Sequence, residues 1–213
     1  MASDSTGAYA RLRKQFRTSI GSFEGVEEAL ARIGGLTYMM DATVRLTTSA
    51  LDQGEKPAVL PAIAKRYLTE SMRQVINDAM DVHGGRGICL GPSNYLGRTY
   101  QSIPVAITVE GANILTRSMM VFGQGAMRCH PWLQQEIEAA SLEDREEALI
   151  RFDTALMNHM AYTISNAARA MLFGLTGNWL AHSPVPGPTA TYYRSIARYS
   201  AAMSAMADLA LLT

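Results

Sequence analysis

The residues best placed for chemistry lie in the run Ile107-Thr108-Val109-Glu110-Gly111-Ala112-Asn113, where one carboxylate sits among apolar and small neighbours. Two readings fit Glu110. It can complement the positive end of a helix that begins just after it. It can also act as a general base, which would need a raised proton affinity, supplied by desolvation against Val109 and Ile107. Gly111 lets a ligand approach the backbone closely. The Glu110 N–H, lying before or within the first turn, would be free to donate to an oxyanion. A second signal is Ala79–Gly87, which contains Gly84, Gly85 and Gly87. One glycine suffices to end a helix; the extra ones leave N–H groups able to cradle a phosphate. His83 beside them reads as a helix-end cation. A third signal is the cluster Arg11, Arg13, Lys14 and Arg17, either a solvated face or an anion site in which Arg13 grips a pyrophosphate. The four histidines and two cysteines, Cys89 and Cys129, fall into no zinc spacing and build no disulfide framework, so no metal is expected and a reducing compartment is the simplest reading.

These groups need helices to hold them. Leu60, Ile63, Ala64, Tyr67, Leu68, Met72, Val75, Ile76, Ala79 and Met80 form one apolar stripe at three- and four-residue steps, with Pro57 in its first turn and Gly84-Gly85 as its stop. Val26, Leu30, Ile33, Met40, Val44 and Leu51 mark a preceding helix over about Phe23–Gln53, and a short helix covers about Ala8–Phe16. The span Gly84–Pro104, rich in glycine and proline, reads as a long loop. Helical spacing resumes with Val109, Ile114, Leu115, Met119, Phe122 and Ala126. Then a long helix capped by Ser141 carries Leu149, Phe152, Leu156, Met160, Ile164, Met171, Leu175 and Trp179. A proline-rich linker at 183–188 leads to a last helix from near Thr189 that still runs at Leu212. Weak strand signals throughout make the expected class all-α, a helical bundle over residues 1–128 and a helical extension over 129–213. Both ends look like cuts through a longer protein.

Composition narrows the function. Nineteen Lys+Arg against nineteen Asp+Glu give zero formal charge, which excludes generic binding to nucleic acid. An apolar fraction of 48% suits a globular chain. Sixteen of the nineteen cations are arginine, a bias that favours phosphate-gripping pockets but also follows from codon usage. No apolar run is long enough to span a membrane.

Taken together, the three signals resemble a known family. Tyr9–Val26 resembles the Tyr-Ala-x-x-Arg-x-Gln-Phe-Gly-x-x-Ile segment of acyl-CoA dehydrogenases. Asp81–Gly87 is similar to their Gln-x-x-Gly-Gly-x-Gly segment, and Ile107–Arg117 to their Ile-Tyr-Glu-Gly-Thr-x-x-Ile-Gln-Arg segment. The order and approximate spacing agree over about Tyr9–Gln124, the family's C-terminal four-helix domain. The wording is most similar to the large bacterial enzymes of fatty-acid β-oxidation. The resemblance implies FAD as cofactor, a fatty acyl-CoA substrate, and α,β-dehydrogenation to the trans-2-enoyl-CoA with Glu110 as base. It implies that Arg13 and Phe16 contact the FAD of a neighbouring subunit, that Gly84 and Gly85 receive the adenine-nucleotide end, and that Glu110 and Gly111 meet the thioester. A homo-oligomer, an electron-transfer flavoprotein as acceptor and a bacterial cytoplasmic location follow from the same resemblance, with membrane association of the full-length protein left open. Asp81, Ala112 and Thr116 depart from the pattern, standing where the family has Gln, Thr and Gln. An acyl-CoA oxidase and a non-catalytic helical assembly module remain as alternatives.

Overall fold

In the computed structural model, which describes Met1–Leu211 with the side chains of 119, 121, 122 and 126 set aside, the chain is predominantly helical. It divides into two compact units, Met1–Gly125 and the residues from Ala126 onward. The sequence expectations at Met119, Phe122, Ala126 and Leu212 lie outside what is described.

The first unit begins with α1 (Ala2–Leu12), which stops short of the expected Phe16. A minimal hairpin follows, with β1 (Lys14–Gln15) paired antiparallel to β2 (Thr18–Ser19). Its turn holds Phe16 and Arg17 at φ 51° and 66°. Two left-handed residues in succession cannot continue a right-handed helix, so the arginine-rich segment reverses direction there. Next come α2 (Glu24–Asp52) and α3 (Leu60–His83). Pro57 lies ahead of α3; Pro61 takes the first-turn position instead. Gly84 ends α3 at φ 56°, a conformation that glycine adopts without a Cβ penalty.

The expected long loop is mostly helix. A single turn, α4 (Gly85–Ile88), is followed by α5 (Gly97–Thr108), which accommodates Pro104 in its interior. Asn94 secures the entry to α5: its Oδ1 accepts from the Leu96 and Gly97 N–H groups at 3.1 and 2.8 Å. Burial of Ile103 and Ile107 on either side of the proline outweighs the lost backbone bond. The core joins Ile33 of α2, Val75, Ile76 and Ala79 of α3, and Leu96, Ile103 and Ile107 around α5. Arg32 clamps α2 to α3 through a fork onto Asp78, Nε to Oδ2 at 2.8 Å and Nη2 to Oδ1 at 3.0 Å. Only part of the α2 stripe is core: Ile33 is buried, while Val44 and Leu51 lie half exposed. After α5 the chain turns through Glu110 and Gly111 into α6 (Asn113–Leu115) and a π-helical stretch, Thr116–Gln124.

α7 (Gly125–Cys129) begins at the last residue of the first unit, and the second unit continues with α8 (Leu133–Ala140), an unforeseen helix, then α9 (Arg145–Leu175) and α10 (Ala190–Leu211). Asp144, not Ser141, caps α9, its Oδ1 accepting from the Glu146 and Glu147 N–H groups; Ser141 instead closes α8. The apolar stripe of α9 faces outward: Leu149, Ile164 and Met171 are all more than 60% exposed, as is Trp179 beyond the end of the helix. The buried positions of α9 and α10 are small or polar, namely Ala155, Asn166, Ala190, Ala201 and Asp208. Small residues let α9 and α10 approach closely, and the large side chains are left on the outer face. Among the described residues no helix is long and apolar enough to cross a membrane.

Candidate functional site

Glu110 and Gly111 sit at the apex of the turn between α5 and α6, at φ 52° and 88°. A left-handed non-glycine residue costs on the order of 1–2 kcal/mol, so other contacts must hold Glu110 there. Those contacts come from α3. Lys65 Nζ donates to the Gly111 carbonyl and to Asn113 Oδ1, each at 2.7 Å, and to the Ile107 carbonyl at 3.3 Å. Asn113 is buried, and its Nδ2 donates to Thr69 Oγ1 at 2.9 Å and Glu70 Oε1 at 3.0 Å. Thr116 Oγ1 donates to the same Gly111 carbonyl at 3.2 Å. That is what this chain does with the threonine that stands where the family carries glutamine. The Glu110 N–H makes no hydrogen bond among the described residues. Its donor capacity is therefore unspent within the described residues.

One expectation is corrected. Val109 is 47% exposed, Ile107 points into the core, and the Glu110 carboxylate is exposed. The chain's own neighbours do not enclose the carboxylate, so any desolvation must come from what binds against it.

Two of the cofactor candidates, Gly84 and Gly85, lie at the C-terminal end of α3. Tyr9 stacks on His83, with ring centroids 4.2 Å apart and planes 17° from parallel, and its hydroxyl reaches the His83 carbonyl at 3.5 Å. This joins the end of α1, and the hairpin that follows it, to the Gly84-Gly85 turn. Arg13 is exposed, and Phe16 is 91% exposed at the hairpin tip. A Cβ at Gly84 or Gly85 would meet nothing within 4 Å, so neither glycine is required by packing inside this chain. An exposed ring, exposed guanidinium groups and an open backbone turn are groups of the kind that an aromatic, anionic cofactor needs. His83 is no helix-end cation. It is buried; its Nδ1–H donates to the Ala79 carbonyl at 2.7 Å and Nε2 accepts from the Tyr95 hydroxyl. Burial pushes its pKa below the usual histidine value, against a smaller opposing effect of the Ala79 carbonyl.

The second unit holds a polar cluster that sequence spacing could not disclose. His130, His159 and Asp208 bring potential ligand atoms within 4.8 Å of one another. Glu136 Oε1 lies 2.8 Å from His159 Nδ1, and Thr163 donates to Asp208 Oδ2 at 2.6 Å. However, His130 Nδ1 accepts from the Trp132 and Leu133 N–H groups at 3.2 and 3.0 Å. A neutral ring so held carries its proton on Nε2, which lies 3.0 Å from Asp208 Oδ1. A metal would need that nitrogen's lone pair. The 3.0 Å separation is not matched by hydrogen-bond geometry, so His130 Nε2 and Asp208 Oδ1 are both buried without a hydrogen-bond partner among the described residues. Burial, then the nearby His159, keeps the His130 pKa low, with Asp208 opposing.

Both lowered histidines make acid destabilising. Between the lowered folded value and about 6.5 the unfolded chain binds a proton that the folded chain does not, so stability rises with pH there and falls on acidification. Each histidine contributes at most ~1.4 kcal/mol per pH unit. Thermal unfolding should show a melting temperature that drops from pH 7.5 to pH 5.5. His130→Asn, whose Oδ1 can replace Nδ1 as acceptor, should flatten that drop; an unchanged slope counts against the assignment.

Two family models match the chain. Residues 1–123 match the model described as acyl-CoA dehydrogenase, C-terminal domain, and residues 127–213 match acyl-CoA dehydrogenase, C-terminal, bacterial type. A 3-(aryl)acrylate reductase of Clostridium sporogenes is 31% identical over 113 residues, covering 53% of this chain and 29% of the relative. The mouse mitochondrial very long-chain specific acyl-CoA dehydrogenase is 30% identical over 120 residues, 56% of this chain and 18% of the relative. The chain thus spans less than a third of either curated relative. The solved FAD complex of PigA shares the fold with a TM-score of 0.53 and 21% identity, over 58% of this chain and 32% of that one.

Proposed function

The chain belongs to the acyl-CoA dehydrogenase family, and on that premise we propose that it carries the catalytic base of a flavin-dependent α,β-dehydrogenation of a fatty acyl-CoA, in fatty-acid β-oxidation. The observation that carries this reading is Glu110 itself: a carboxylate on a left-handed turn whose own N–H is unpaired among the described residues. The N–H polarises the thioester carbonyl and makes the α-proton more acidic; the carboxylate of the same residue removes it. One residue thus supplies both groups, and its strained backbone fixes their relative direction. When the thioester and its acyl chain lie against the exposed carboxylate, they exclude the water that the chain itself does not.

FAD, when bound, supplies the acceptor for the β-hydrogen and its electron pair. Arg13 would pair with the pyrophosphate and Phe16 would cover the cofactor from a neighbouring subunit, while the Gly84-Gly85 turn leaves room for the adenine-nucleotide end. This makes the working unit a homo-oligomer, with an electron-transfer flavoprotein as its acceptor. Asp81 is exposed beside that turn, and a carboxylate there repels a pyrophosphate, so Arg13 carries more of the contact than in relatives with glutamine. The test is anaerobic mixing of the flavin-loaded assembly with a saturated fatty acyl-CoA. Bleaching of the flavin absorbance with appearance of the trans-2-enoyl-CoA is expected; an unchanged spectrum overturns the reading.

A further inference from the structure

We propose that Lys65 is the positioning residue for Glu110, a tether thrown from α3 across more than forty positions of sequence to fix the turn that presents the base. The inference rests on the reading of Glu110 as base. Its ground is geometric. The three acceptors of the Lys65 ammonium, the carbonyls of Ile107 and Gly111 and the amide oxygen of Asn113, flank Glu110 on both sides. None belongs to Glu110, so the ammonium holds the frame and leaves the carboxylate and its N–H free for substrate.

The geometry uses every valence. An ammonium has three protons, and here three oxygens take them. The Gly111 carbonyl has two lone pairs, and Lys65 and Thr116 occupy them. Asn113 continues the tether, since its amide accepts from Lys65 and donates to Thr69 and Glu70, one helical turn along the same α3. Lys65 forms no ion pair among the described residues. A lysine kept half buried on carbonyl oxygens alone is costly as mere surface packing. The chain has three lysines and sixteen arginines, and lysine is the cation that suits this position. A point charge with three divergent protons meets three convergent oxygens, which a planar guanidinium cannot do. Without the ammonium, the turn has access to other backbone conformations, and the carboxylate spends less time in line with the α-proton. Misplacement of a reacting group by about 1 Å can cost ~10²-fold in rate.

The experiment uses the flavin-loaded holoenzyme and rapid anaerobic mixing with a saturated fatty acyl-CoA. Lys65→Met keeps the length and removes the charge. The limiting rate of flavin reduction should fall roughly 10–100-fold, while the substrate concentration giving half that rate changes less than about twofold, because the three protons of Lys65 are engaged by the turn. Lys65→Cys should show the same loss, and treatment with 2-bromoethylamine, which rebuilds an ammonium at nearly the native length, should restore most of the rate. Wild type carried through the same alkylation controls for the exposed Cys89 and Cys129. A purely structural role would not produce rescue by charge alone. If Lys65→Met fails to load flavin, Asn113→Ala takes its place and must lower the limiting rate at unchanged half-saturation. Variants that reduce flavin at the wild-type rate overturn the tether, provided that Glu110→Gln is inactive. Full activity of Glu110→Gln overturns the base reading instead.

Discussion

Glu110→Gln in the flavin-loaded enzyme binds flavin and acyl-CoA as the parent does, and reduces flavin slower by at least ~10²–10⁴-fold. The amide is isosteric and keeps the backbone N–H, so the thioester is still polarised, but it accepts no proton at ordinary pH. Among the described residues, the hydrogen-bond network behind the turn holds one carboxylate, and it is already engaged. That carboxylate, Glu70, has one oxygen on Asn113 Nδ2 at 3.0 Å and the other on Arg73 at 3.3 Å. The competing explanation of Glu110, complementing a helix dipole, predicts a loss of ~0.3–1 kcal/mol of stability and unchanged turnover. The structure weakens that explanation, because Glu110 stands two residues ahead of the helix's N-cap, Ala112, and the dipole's influence fades within the first turn. Anaerobic stopped-flow absorbance separates the two, and bleaching at the parent's rate would show that Glu110 is not the base.

What could be read from the sequence was what local spacing encodes. The three-and-four-residue stripes located α2 and α3 to within a few residues, and Gly84 marked the end of α3. Glu110 stood out because a carboxylate beside glycine in an apolar run is chemically unusual. What stayed hidden depends on contacts between distant positions. Lys65 meets its partners 42 to 48 positions away, and nothing in its own neighbourhood signals a tether. His130, His159 and Asp208 come from three separate elements. Pro104 and the glycines of 84–97 suggested a loop, since punctuation signals say nothing of a core that rewards helix formation through Ile103 and Ile107. Periodicity also failed on burial. A stripe shows that one face is apolar, not that something covers it, and on α9 the large residues point outward while Ala155 and Asn166 pack within.

That last distinction has a sharp test on α2, where periodicity treats Ile33 and Leu51 as equals and the structure does not. Ile33 is 1% exposed at the centre of the core; Leu51 is 51% exposed. Ile33→Asp removes an aliphatic side chain whose burial contributes about 1.5–3 kcal/mol and places a carboxylate where no counter-ion waits. The neighbouring Arg32 is already committed to Asp78 at 2.8 Å. The effective penalty for an uncompensated buried charge is several kcal/mol. Together these losses reach the whole ~5–15 kcal/mol that holds a domain folded. The variant should lose cooperative thermal unfolding and the slow amide exchange of α2, α3 and α5. Ile33→Asn, equal in size and uncharged, should retain part of both. Leu51→Asp, at a solvent-facing position of the same stripe, should cost no more than ~0.5 kcal/mol. If the two aspartate variants unfold alike, the α2 stripe is core along its whole length and the placement of α2 is wrong. If Ile33→Asp melts cooperatively within about 2 kcal/mol of the parent, the centre of the core lies elsewhere.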